Sequence, residues 1–101
     1  MKHRTLVYSP RALSDLEEIG IRSEREWGRK QTRSYLAAIK ETAGKLISFP
    51  SLGMDCSFLS PDLRKRRSGS HFLFYHILPD EILIVRILHE RMDFEGHLTD
   101  L

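Results

Sequence analysis

Between Arg64 and His97 the chain reads RKRRSGSHFLFYHILPDEILIVRILHERMDFEGH, and this run restricts the fold more than any other. His71 to Leu78 and Glu81 to His89 are rich in Ile, Leu, Val, Phe and Tyr, which suit a pleated, largely buried surface. Pro79-Asp80 separates the two runs, so together they read as a β-hairpin. Side-chain alternation sends Leu83, Val85, Ile87 and His89 to one face of the second arm and Ile82, Ile84, Arg86 and Leu88 to the other. Both faces are mostly apolar, which predicts a central strand with something covering each side. The chain's own helices are expected to cover one side and a partner the other.

Upstream, Thr5 to Tyr8 is a short β-rich run that predicts a first strand. Ser9-Pro10 then reads as a helix start, because serine caps free backbone N–H groups and proline is tolerated in the first turn. Leu13, Leu16 and Ile19 continue at helical spacing, with Asp15, Glu17 and Glu18 expected on the opposite side. This helix should run to about Trp27. Gly28 breaks it, and Tyr35, Leu36, Ile39, Ala43, Leu46 and Ile47 mark one stripe of a second helix from about Arg29 to Ser48. Phe49-Pro50 stops the second helix, and Pro50 to Asp62 reads as a loop. The two helices form an αα-hairpin whose joint apolar face covers a four-stranded sheet. The expected class is α+β: an N-terminal strand, a helical hairpin, then a mainly antiparallel sheet.

A chain of 101 residues supports one modest core, so residues 1–101 are expected to be a single domain. Its net charge of +2 excludes binding nucleic acid by bulk charge alone, which leaves local clustering as the informative feature. Arg64, Lys65, Arg66 and Arg67 are such a cluster. On a strand they divide, Arg64 and Arg66 to one side and Lys65 and Arg67 to the other. The run either protects a sheet edge from aggregation or meets an acidic or phosphate-bearing partner. Cys56 is the only cysteine, so an internal disulfide is impossible and a reducing cytoplasm is the expected compartment. Leu6, Val7 and Tyr8 are too few for a signal-peptide core, and no segment approaches the roughly 20 apolar residues of a membrane span. The five histidines lack metal-ligand spacing, so neither a metal nor any other cofactor is expected.

Several pieces together resemble a known family. SPRALSDLEEI, EWG followed by QTRSYL, FPSLG, SGSHFLFY and IVRILHERMD with His97-Leu98 occur in the order and spacing of the ParE branch of the ParE/RelE toxin superfamily. The similarity extends from Ser9 to Leu98, and departs from the usual look at Gly20 and Ser23, where bulky apolar residues are common. The resemblance implies the RelE/ParE-like fold and a toxin from a bacterial type II toxin–antitoxin pair, as used in plasmid stabilisation. It also implies neutralisation by a ParD-like antitoxin in a hetero-oligomer and action on DNA gyrase, with possible DNA contact through the gyrase complex.

An RNA-cleaving member of the superfamily needs a base, an acid and cations for the phosphate. His71, Tyr75, His89 and His97 are the candidates for proton transfer, and Arg64, Lys65, Arg86 and Arg91 for the phosphate; His71, Tyr75, Arg91 and His97 are the set a ribonuclease would use. Each also has a structural reading: Tyr75 as a core or rim residue, and Arg86 as the partner of Asp80, Glu81 or Asp93. The favoured expectation is therefore a gyrase inhibitor with no catalytic residues. Arg64, Lys65, Arg66, Arg67, His89 and Arg91 would contact the target. Ile84, Arg86 and Leu88, on the face the helices leave open, would bind the antitoxin. The alternatives are a ribosome-dependent mRNA endonuclease and a non-toxic relative that only binds antitoxin.

Overall fold

The computed structural model describes residues 3–98. Strand β1 (Thr5–Tyr8) leads into helix α1 (Pro10–Ser48), a 3-10 turn (Pro50–Leu52) and a two-residue strand β2 (Met54–Asp55). Strands β3 (Arg64–Ser68), β4 (His71–Ile77) and β5 (Glu81–His89) follow, then a short helix α2 (Phe94–Leu98). Among the described residues the strands form one sheet in the order β1-β5-β4-β3-β2, with β1 parallel to β5 and every other pair antiparallel. β2 adds a fifth strand inside the stretch expected to be loop; at two residues it carries no readable alternation.

Local signals act where the sequence places them. Ser9 caps α1, its hydroxyl accepting the Ala12 N–H at 3.0 Å, with Pro10 in the first turn. Gly28 interrupts α1 with φ 83° and ψ 174°, a left-handed conformation open to glycine, and the chain reverses there into a helical hairpin. The two arms meet closely. A Cβ on Gly20 would lie 3.5 Å from Leu36 Cδ1, an ordinary van der Waals contact, so the second arm faces Gly20 with room for a methyl group. Gly69 leads the turn between β3 and β4 with φ 60°, and Ser68 pairs with His71, leaving two central residues with glycine first as a type II′ turn requires.

The hairpin buries one face of the sheet. Ala12, Ile19, Ile39, Ala43 and Leu46 from α1 pack with Leu73, Tyr75, Ile82, Ile84 and Ile87. Leu13, expected on the buried stripe, is instead exposed; the stripe runs through Ala12, Leu16 and Ile19.

The opposite face is not left open. Cys56, Leu63, Phe74, Val85, Leu88 and Leu98 form a second core, with Leu59, Phe72, Leu83 and Phe94 packed around it. The loop after β2 and helix α2 therefore supply the cover expected from a partner.

A bulge in β5 corrects the expected faces. Phe74 pairs with Arg86 but Tyr75 pairs with Ile84, so Val85 is the extra residue. Such an insertion reverses side-chain parity. Ile82, Ile84 and Ile87 consequently face the helices, while Val85 and Leu88 join the second core. The start of α1 is tied to this bulge, with Ser9 N–H donating to the Ile84 carbonyl at 2.9 Å and Ser9 Oγ to the Val85 carbonyl at 2.8 Å.

Candidate interaction surface

The basic run lies on β3, and its members divide as strand alternation requires. Arg64 donates to the Gly53 carbonyl at 2.7 Å and Arg66 reaches towards the Leu52 carbonyl at 3.5 Å, so this side of the run ties down the turn before β2. Lys65 Nζ lies 4.7 Å from the centroid of Phe72 and 5.5 Å from that of Phe94, and the Arg67 guanidinium lies 4.6 Å from Phe72. Arg67 also pairs with Glu90 at 3.1 Å. Cation–π contacts of this kind contribute about 0.5–1 kcal/mol each where exposed. The result is a half-buried aromatic patch rimmed by cations on the face away from the helical hairpin. Met54 and Phe58 are exposed at 67% and 79%, and add apolar surface at the adjoining edge and loop. Arg66, Arg67 and Arg91 are exposed, whereas Arg64, Lys65 and His89 are partly buried.

The three residues expected to bind antitoxin do not share a surface. Ile84 and Leu88 are both fully buried and, because of the bulge, lie in different cores. Arg86 is held by Asp15 through Nε at 2.9 Å and Nη2 at 3.0 Å, and its Nη1 donates to the His97 carbonyl at 3.1 Å. Asp15 also accepts the Ile87 N–H at 2.8 Å, on the edge of β5 beyond the end of β1. The carboxylate seen to hold Arg86 is thus Asp15. Asp15 carried a signal for this: it falls between Ala12 and Ile19, at three- and four-residue steps on the buried stripe, although it was expected on the solvent side.

The ribonuclease set does not converge on one cleft. Tyr75 is fully buried beneath the helices; its hydroxyl donates to the Pro50 carbonyl at 2.6 Å and accepts the Gly53 N–H at 2.9 Å. Burial pushes this phenol upwards, against the Gly53 N–H and the charges of Arg64 and Arg66. His71 points to the same side but four residues earlier, roughly 13 Å along the strand. His97 Nδ1 is bound to the Asp93 carbonyl at 2.7 Å on α2. Among the described residues no cluster of three or more His, Cys, Asp or Glu is placed to hold a metal. Burial raises the Cys56 thiol, disfavouring the thiolate a nucleophile needs.

His71 and His89 do meet. They are cross-strand partners with perpendicular rings and centroids 5.1 Å apart. His71 Nδ1 lies 2.6 Å from the Tyr35 hydroxyl, which itself accepts the Ser70 N–H at 2.9 Å. Burial, reinforced by the charge of His89, lowers the His71 pKa to about 4, against weaker opposing effects of Asp15 and Glu90. A neutral His71 can accept a hydrogen bond from the Tyr35 hydroxyl at Nδ1, and this bond ties the helical hairpin to the β3–β4 turn. In the unfolded chain the ring titrates near 6.5, so there the unfolded state binds more protons and stability falls as pH drops. Urea denaturation is expected to show progressive loss between pH 6.5 and about 4. His71→Gln will flatten that slope; an unchanged slope in this variant would assign the loss to other groups.

Among the described residues no helix is long and apolar enough to cross a membrane. The family model described as "ParE toxin of type II toxin-antitoxin system, parDE" matches residues 6–94. Toxin ParE1 of Mycobacterium tuberculosis is 35% identical over 99 residues, covering 97% of this chain and all of the relative. Toxin ParE of Escherichia coli is 36% identical over 97 residues, covering 93% of this chain and 92% of the relative. Among solved structures, a chain of the chromosomal ParDE TA system from P. aeruginosa superposes with a TM-score of 0.76 at 19% identity, covering 86% of this chain and 96% of that one. At that identity the likeness speaks for the fold.

Proposed function

The chain belongs to the ParE toxin family of type II toxin–antitoxin systems, and on that premise we propose that it inhibits or poisons DNA gyrase until a ParD-like antitoxin neutralises it. The family match across residues 6–94 carries this reading. The positions of two ribonuclease candidates support it, since Tyr75 is enclosed and His97 is tied to its own helix, so neither is presented to a substrate beside His71. The protein then works by binding. We assign target contact to the exposed members of the cationic set, Arg66, Arg67 and Arg91. The antitoxin is assigned the aromatic patch of Phe72 and Phe94 with its basic rim, which suits an acidic and apolar segment that folds on contact.

Purified toxin added to gyrase and relaxed plasmid is expected to block supercoiling or accumulate cleaved plasmid, and co-purified antitoxin to reverse the effect. Induction in cells separates this from the superfamily's other chemistry. DNA damage with intact translation supports the gyrase reading, and message cut in the ribosome with undamaged DNA overturns it.

A further inference from the structure

The bend of the helical hairpin has a composition the fold does not require. Residues 22–33 are exposed except Ser23 and Thr32, which close the inside of the bend, Thr32 Oγ1 donating to the Gly28 carbonyl at 2.8 Å. Arg22, Arg25, Arg29, Lys30 and Arg33 stand there against only Glu24 and Glu26, a local excess of positive charge above the +2 of the whole chain. Arg22 pairs with Glu18 at 3.4 Å and Arg29 with Glu24 at 3.7 Å, exposed contacts of little energetic weight. Among the described residues Lys30 and Arg33 have no carboxylate at ion-pair distance. Arg29, Lys30 and Arg33 line one shallow groove with Ser34 and Ala37. Next to them in the chain is Trp27, the only tryptophan, left 52% exposed although a ring of that size is normally largely buried.

We propose that this bend binds single-stranded nucleic acid, Trp27 stacking on an unpaired base while Arg29, Lys30 and Arg33 hold the adjoining phosphates. Cationic grooves combined with exposed aromatic rings serve this purpose generally, because every base offers a face to stack on and every nucleotide a charge. An acidic protein surface would satisfy the cations but gives the Trp27 ring no matching flat partner. A duplex offers phosphates while hiding its base faces. This surface is separate from the cations of β3, and the inference does not depend on the gyrase reading.

Because Trp27 is the only tryptophan, its emission in the full chain reports on the bend directly. Titration with a short oligothymidylate is expected to quench it, and with three phosphates neutralised the affinity should fall roughly 20-fold from about 50 to 200 mM salt. R29E/K30E/R33E will abolish binding. Arg33→Ala alone will reduce the salt slope by about 0.7. Trp27→Ala, followed through a labelled oligonucleotide, will weaken binding by about 5-fold or more. Lys45→Glu, in the last turn of α1 away from the bend, will leave it unchanged. All these positions are exposed, so far-UV circular dichroism should report the parent fold. Equal affinity for a duplex of the same length, unmoved Trp27 emission, binding that survives the triple reversal, or equal quenching by polyglutamate would each overturn the proposal.

Discussion

Ile84→Asp and Leu88→Asp will each prevent folding rather than selectively weaken a complex. Both side chains have no exposed surface, Ile84 under the helical hairpin and Leu88 under α2 and the loop after β2. Complete burial of such a side chain contributes about 1.5–3 kcal/mol. An aspartate there loses that contribution and is left either charged without a partner or neutralised at further cost. The combined penalty, above about 4–5 kcal/mol, is comparable with the whole stability of a small domain. Circular dichroism and urea titration should find no cooperative transition at neutral pH. Leu88→Met keeps the volume and should lose less than about 1.5 kcal/mol. A Leu88→Asp protein that melted like the parent and lost only antitoxin affinity would mean that Leu88 faces outwards, against the structure.

Asp15→Ala or Arg86→Ala is expected to cost about 3–5 kcal/mol, the range for removing one member of a buried ion pair. The two side chains are only 14% and 13% exposed, so solvent screens the orphaned charge poorly. Asp15→Ala also strips the acceptor from the Ile87 N–H, and Arg86→Ala releases the His97 carbonyl. Asp15→Asn keeps an oxygen for Ile87 and should lose less. Removing both charges together, as Asp15→Leu with Arg86→Met, should recover part of the loss but not all, since Ile87 remains unpaired. A double-mutant cycle by urea denaturation checks this. Strictly additive single and double losses would mean that the pair does not couple the hairpin to β5.

Much of the architecture was legible because its causes are local. Ser9-Pro10 starts α1, Gly28 bends it and Pro79-Asp80 separates β4 from β5. At each position the residue's own backbone preference or side-chain reach is enough. The division of Arg64 and Arg66 from Lys65 and Arg67 was likewise readable, since alternation holds along any regular strand. Of the two readings of the Arg64–Arg67 run, protection of a sheet edge applies only in part, because β2 pairs with its first two residues. Ile84, Arg86 and Leu88, expected on one open face, do not share it for a related reason. A perfect alternation was assumed through Val85, where pairing with β4 inserts an extra residue.

The sequence alone determined the first strand, the helical hairpin, the β4–β5 turn and the family, because short-range backbone preference and a long ordered series of motifs suffice for those. Only the tertiary structure decided which face each β5 side chain takes, that Asp15 is the partner of Arg86, and that α2 closes the second core. Those outcomes depend on contacts between residues as far apart in the chain as Asp15 and Arg86. Their energies arise only when distant strands are in register and water has been excluded between them.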